Sequence, residues 1–178
     1  MIYLIRHGKT EANEKHLYCG STDLPLSNLG AEELRKLRYN VPVRNFVTSG
    51  MKRTEETLRI LFGDVPHTQN PELREVDFGS FEMHSYEELK ENSAYLHWIS
   101  GNNEENIPPH GESGNQMKKR VLSAFAEIPE ETAIISHGGV IAAIMESLFP
   151  EEHKNRYEWQ PKPGHGYLLS GSAYKEIP

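Results

Sequence analysis

Arg6 and His7 stand at the mouth of a short apolar run, Ile2 to Ile5, and Gly8 follows them. A guanidinium offers paired hydrogen bonds to an oxyanion. An imidazole is the side chain that serves as a neutral nucleophile or a proton carrier near neutral pH. Together they suggest an anion-handling site. Two later segments repeat the pattern. Phe46-Val47-Thr48-Ser49 is a second short strand, with Arg53 in the helix that follows. Thr132–Ser136 is a third, ending in His137-Gly138-Gly139.

These groups meet only if the strands lie side by side, and the rest of the chain predicts that they do. Ser27 is a good cap for a helix from about Leu29 to Leu37. Met51 to Phe62 places Met51, Thr54, Leu58, Leu61 and Phe62 on one helical face. Val65–Gln69 reads as a weak edge strand, because Pro66 has no N–H for a ladder. Tyr86–Ile99 reads as one or two helices packed through Leu89, Leu96, Trp98 and Ile99. Ser113 caps a helix to about Ile128, and Val140–Phe149 is an apolar helix stopped by Pro150. Lys9–Leu26 and Gly101–Gly111 read as loops, Pro71–Met83 as irregular, and Glu151–Gly164 as a polar tract. Ser170-Gly171-Ser172 joins a terminal hairpin. Strands alternating with helices predict an α/β fold with a mainly parallel sheet covered on both faces. Ligands in such folds sit at the carboxyl ends of strands. Two arginines, two histidines and the open start of the helix at Gly138 would then share one rim, which makes a phosphate pocket. One domain over residues 1–178 is expected, with a small helical, cap-like insertion at about 72–115.

The totals exclude several other classes. A formal net charge of −7 over 178 residues argues against general binding to nucleic acid or acidic membranes. Cys19 is the sole cysteine, so no internal disulfide forms. No signal-like or membrane-length apolar segment appears, and a cytoplasmic location is expected. A cysteine phosphatase needs Arg six residues after Cys, but Pro25 stands there. An aspartyl phosphatase needs aspartates two apart, but the aspartates are Asp23, Asp64 and Asp77. No metal-ligand spacing is present, so neither metal nor cofactor is expected.

Arg6-His7-Gly8-Lys9-Thr10 with Asn13 resembles the signature of the histidine phosphatase superfamily, the phosphoglycerate mutase-like proteins. The resemblance continues through Asp23-Leu24-Pro25-Leu26-Ser27 with Gly30, and Ser49 to Arg53 with Thr57. It runs on through Leu73-Arg74-Glu75 with Phe78-Gly79 and Phe81-Glu82, and Ser136-His137-Gly138-Gly139. It implies that His7 takes a phosphoryl group onto a ring nitrogen, with the other nitrogen bonded to a nearby backbone carbonyl. It implies that Arg6, Asn13, Arg53 and His137 surround the phosphate, with the Gly138 amide close by. It also implies that Glu75 protonates the leaving alcohol and then activates water. For that task the Glu75 carboxyl needs an environment such as Phe78 or Phe81 provides, and phosphate beside His137 favours its charged form.

Mutases of this family resemble longer chains, and its phosphohistidine phosphatases lack the Leu-x-Glu donor loop. A phosphomonoester with a poor leaving group is therefore expected as the small-molecule partner. Glu72 to Met83 with Tyr86 and Leu89, and Ile107 to Ser113, resemble the alpha-ribazole phosphatases, which remove the 5′-phosphate of alpha-ribazole phosphate in cobalamin assembly. Alternatives are a broad sugar-phosphate or phosphoglycerate phosphatase, a phosphoglycerate mutase, and a non-catalytic phosphate-binding scaffold. Lys9, Gly50, Thr54 and Met83 depart from the family's usual residues. Lys9 either adds positive potential at the pocket mouth or points to solvent. Met83 stands where many relatives have Gly, which puts the substrate-side contacts in question. His84 and His110 are candidate pocket residues, and oligomeric state is open.

Overall fold

The computed structural model describes residues 1–102 and 104–178. Asn103, in the loop expected over residues 101–111 and within the expected insertion, lies outside them.

Six strands form one sheet: β1 (Ile2–Arg6), β2 (Asn45–Thr48), β3 (Thr68–Gln69), β4 (Thr132–Ser136), β5 (Gly166–Ser170) and β6 (Ala173–Ile177). Their order is β3-β2-β4-β1-β5-β6. The first four in that order run parallel, and β5 and β6 are antiparallel, as the terminal hairpin requires. The helices are α1 (Glu11–Glu14), α2 (Asn28–Lys36), α3 (Lys52–Phe62), α4 (Tyr86–Leu89), α5 (Ser93–Ile99), α6 (Gly114–Ala126) and α7 (Gly138–Leu148).

The period of two along each strand decides which layer it feeds. Leu4 and Ile134 join the core under α6 and α7, with Met117, Val121, Ile141 and Met145. Tyr3, Ile5, Ala133 and Ile135 turn to the other face and meet Leu58 of α3. Both faces of β1 and β4 are thus buried. That is why these strands read as unbroken apolar runs instead of alternating with polar residues.

Register sets the rim. Arg6 pairs with Ser136, and Thr48 pairs with Ile135. The residues just beyond each strand, His7, Ser49 and His137, therefore emerge at one level. The parallel order brings β4 between β1 and β2, so His137 lies between the other two.

Two local expectations change. Residues 9–26 are not loop throughout: Thr10 and Asn13 close a reciprocal cap on the short α1. In α5 the buried face is Tyr95 and Trp98, three apart, not Leu96 and Ile99. Tyr95 is 1% exposed, whereas Leu96 is 47% and Ile99 36% exposed. Tyr95 and Trp98 instead pack with Tyr18, Phe78 and Phe81 in an aromatic cluster, and the Tyr18 and Tyr95 hydroxyls are 2.6 Å apart. This cluster clips α5 to the 17–19 segment, which also bridges Ser85 through Leu17. Among the described residues, no helix is long and apolar enough to cross a membrane.

Candidate active site

His7 is buried, and its Nδ1 lies 2.6 Å from the Gly8 carbonyl. A carbonyl only accepts, so Nδ1 carries the proton and Nε2 keeps its lone pair. The Gly8 N–H donates to Thr57 Oγ1 at 3.0 Å, and Thr57 Oγ1 donates to the Arg53 carbonyl. The turn that orients His7 is thus pinned to α3.

Arg53 is 1% exposed. Its Nη1 and Nη2 donate to the Thr22 and Gly20 carbonyls at 2.9 and 2.7 Å, and its Nε donates to His137 Nδ1 at 3.3 Å. An accepting Nδ1 puts the His137 proton on Nε2, which donates to Ser49 Oγ at 2.8 Å. Ser49 Oγ lies 3.1 Å from Thr54 Oγ1, which donates to the Met51 carbonyl. This relay settles the tautomer and accounts for Thr54 and Ser49 at these positions. The His7 and His137 rings meet edge to face with centroids 5.1 Å apart.

Arg6 donates through Nη1 to the Pro161 carbonyl at 2.8 Å, while its buried Nε has no partner among the described residues. An unmet buried donor costs about 1–3 kcal/mol, which an anion oxygen at that nitrogen would recover. Burial lowers the pKa of both Arg6 and Arg53, and among the described residues both guanidiniums bond to neutral groups and neither is in a salt bridge. Gly138 opens α7 against Arg6: a Cβ there would lie 3.1 Å from Arg6 Cζ. Next to it, the Gly139 N–H donates to Glu75 Oε2 at 2.9 Å, and a Cβ on Gly139 would fall 2.4 Å from Glu75 Oε1. The double glycine is what lets a guanidinium and a carboxylate both approach this helix start.

The segment bearing Glu75 is held from behind. Arg120 of α6 donates to the Glu72, Arg74 and Glu75 carbonyls and is paired with Glu112. Ser136 Oγ reaches the Leu73 carbonyl at 2.8 Å. In this way α6 and β4 jointly aim Glu75 at the start of α7.

Of the expected site residues, Arg6, His7, Arg53, His137, Gly138 and Glu75 come together. Asn13 is different. Its Oδ1 accepts from the Thr10 N–H and hydroxyl in the α1 cap, so only its Nδ2 remains for an anion. His84 and His110 do not line the cavity at Glu75; both are exposed in turns, His84 with Nδ1 on the Glu82 carbonyl and His110 at φ 64°. Lys9 is tied to Glu33 of α2 at 2.9 Å. Met83 adopts φ 63°, which explains why glycine suits this position, and it lines a separate groove with Leu24 and Leu26. Phe78 lines the Glu75 cavity, whereas Phe81 is buried in the aromatic cluster.

The cavity beside Arg6 and Glu75 has a volume of about 320 Å³. Its outer walls are Tyr18, Phe78, Trp98, Tyr157 and Arg156. Sequence reasoning missed most of these, because they come from three separate loops and from α5. The one available signal was Trp159 in a tract that otherwise reads as polar. Buried against Phe149, Tyr167 and Tyr174, Trp159 anchors the loop that presents Arg156, Tyr157 and Gln160.

Burial first, then Arg53 and Arg6, holds the pKa of both His7 and His137 well below the ordinary imidazole value; His7 also depresses His137. The protein groups alone keep both rings neutral, and a charged His137 needs the opposing field of a dianion. The sign for stability follows. Below about pH 6.5 the unfolded chain takes up protons that the folded chain refuses. Each ring's contribution is complete above that pH and is lost as pH falls through this window, by up to about 1.4 kcal/mol per pH unit. Thermal melts from pH 7 to 5 should therefore show a falling Tm, with a shallower fall in His7→Asn. Equal slopes would remove His7 from the account.

The comparisons with known proteins point the same way. Over 160 residues the chain is 32% identical to the adenosylcobalamin/alpha-ribazole phosphatase of Salmonella typhimurium, covering 83% of this chain and 78% of that protein. The alpha-ribazole phosphatase of Shigella flexneri superposes with a TM-score of 0.82 at 27% identity, over 99% of this chain and 94% of the other. A phosphoglycerate mutase from Thermus thermophilus superposes at 0.76 and 26% identity, over 99% and 98%. The family model of the histidine phosphatase superfamily (branch 1) matches residues 2–171. An Arg-His pair at the end of β1, faced by a second from α3 and the residue after β4, is what that match spans, and the chain belongs to the histidine phosphatase superfamily.

Proposed function

We propose that this chain is a phosphomonoesterase working through a phosphohistidine on His7, and that its substrate is alpha-ribazole 5′-phosphate. The observation that carries the substrate is the wall on the leaving-group side of Glu75. Tyr18, Phe78, Trp98 and Tyr157 offer aromatic surface to a flat heterocycle. A phosphoglycerate needs a free cation for its carboxylate, but Arg156 is paired with Glu104.

In the first step, His7 Nε2 attacks phosphorus in line, and the N–P bond forms as the P–O bond to the ribose breaks. Arg6, Arg53, His137 and the amide of Gly138 neutralise the phosphoryl oxygens, with Asn13 Nδ2 at the edge. Protonated Glu75 gives its proton to the departing alkoxide. Water then attacks phosphorus, the Glu75 carboxylate takes the water proton, and the N–P bond breaks to release phosphate and neutral His7. The Gly8 carbonyl holds the Nδ1 proton throughout, which stabilises the phosphorylated ring. Exposed Ile99 and Tyr157 at the cavity rim leave a path for water, which favours hydrolysis over mutase transfer.

The test is a substrate panel. Alpha-ribazole 5′-phosphate should exceed 3-phosphoglycerate and glucose 6-phosphate in kcat/KM by at least about tenfold. Trp98→Ala should raise KM for alpha-ribazole 5′-phosphate about tenfold and leave that for 3-phosphoglycerate unchanged. If sugar phosphates or phosphoglycerate lead the panel, the broad-specificity reading replaces this one. Net transfer between phosphoglycerates would instead indicate a mutase, and no turnover of any ester would leave a scaffold.

A further inference from the structure

We propose that Glu82 is a positioning residue for catalysis, holding Arg53 in place for the phosphoryl group. The proposal rests on the reading of the His7 pocket as the phosphate site.

Glu82 lies outside the lining of the cavity beside Arg6 and Glu75. Its carboxylate instead accepts three consecutive backbone N–H groups: Gly20 at 2.9 Å, Ser21 at 3.0 Å and Thr22 at 3.2 Å. The Thr22 hydroxyl adds a bond of 2.6 Å, and the Phe78 N–H one of 3.1 Å. Successive amides turned onto one anion form a concave nest. Peptide planarity then turns the Gly20 carbonyl, which shares a peptide with the Ser21 N–H, away from Glu82, and the bonds to the Thr22 N–H and hydroxyl fix the residue that bears the Thr22 carbonyl. Those are the two carbonyls that grip Arg53 Nη2 and Nη1.

The guanidinium has five N–H donors. Gly20, Thr22 and His137 engage one each, which leaves two for an anion. Without the nest the loop at 20–22 has no reason to keep both carbonyls on Arg53. The Phe78 bond extends the same control to the segment that bears Glu75. Gly20 lies so close to that segment that a Cβ on it would sit 1.6 Å from the Val76 carbonyl oxygen. A single carboxylate therefore sets the distance between the arginine side of the pocket and the acid side.

Inhibition by orthovanadate, a phosphate analogue, tests this in a double-mutant cycle. Glu82→Gln places an amide NH₂ among five donors and should weaken vanadate inhibition about tenfold. In an Arg53→Ala background it should cause no further weakening. Loss of rate in Glu82→Gln should also be equal for alkyl and aryl phosphates, since the arginine acts on the phosphoryl group. Unchanged vanadate inhibition in Glu82→Gln overturns the proposal. So does an equal weakening with and without Arg53, the signature of a general structural role. If Arg53→Ala alone leaves vanadate inhibition unchanged, the phosphate-pocket reading falls and takes this proposal with it. Should Glu82→Gln not fold, Thr22→Val removes only the hydroxyl bond. It should weaken inhibition about threefold in the native background alone, and no change there counts against Glu82.

Discussion

His7→Ala should abolish turnover, lowering kcat by about 10⁴-fold or more for every phosphomonoester. No other side chain can take over the attack. His137 is the nearest candidate, but its Nδ1 accepts from Arg53 and its Nε2 is committed to Ser49. It therefore has no free lone pair to offer. Rapid quenching of the native enzyme with labelled substrate should trap an acid-labile, alkali-stable phosphoprotein, as expected for a nitrogen–phosphorus bond. His7→Ala should trap none. The variant should still bind orthovanadate, since Arg6, Arg53 and His137 remain. Hydrolysis at the native rate by His7→Ala would sink the phosphohistidine mechanism outright.

The second large effect belongs to Glu75, and its size should depend on the substrate. An alkoxide is a poor leaving group and needs a proton in the transition state, whereas p-nitrophenolate leaves without one. Glu75→Gln should therefore cost about 10²–10⁴-fold with alpha-ribazole 5′-phosphate in the phosphorylation step. With p-nitrophenyl phosphate that step should keep most of its rate. Water attack then lacks its base, and stopped-flow traces should show a burst of p-nitrophenol followed by slow turnover. A glutamine keeps an oxygen for the Gly139 N–H, so the α7 contact survives the substitution. Equal losses on both esters in the first step would assign Glu75 to packing alone.

The two effects separate the halves of the site, and those halves differ in how well the sequence shows them. The half proposed for phosphate was legible. β1, β2 and β4 are short apolar runs, and each ends in polar residues that have no place in a core. Once such strands are parallel, Arg6, His7, Ser49 and His137 must share an edge. The order of the strands was not legible, because nothing local in Thr132–Ser136 says that it inserts between β1 and β2. Asn13 shows a different limit: its residue type suits both a loop ligand and a helix cap, and its Oδ1 is taken by the cap. Met83 reads in the sequence as a substrate-side departure. Its left-handed backbone shows that the usual glycine there answers a conformational need.

The leaving-group half depends on contacts between distant loops. Tyr18, Trp98 and Tyr157 belong to segments with no shared periodicity, and only the packing of Tyr95 and Trp159 brings them to one cavity. In α5, four apolar side chains compete for one buried face. The aromatic pair wins because Tyr18, Phe78 and Phe81 offer it partners, and no rule internal to the helix predicts that choice.

The placement of β4 between β1 and β2 has a consequence for how the molecule comes to be. β1 and β2 never pair with each other; each pairs with β4, a strand synthesised more than eighty residues after β2, and only its arrival joins them. The contact that builds the sheet is the same contact that delivers His137 to His7. A growing chain that has not yet emitted Ser136 carries Arg6, His7 and Arg53 but no pocket, and closing so long a loop is a slow event in folding. On the proposed function, the pocket for phosphate forms together with the core that β4 completes.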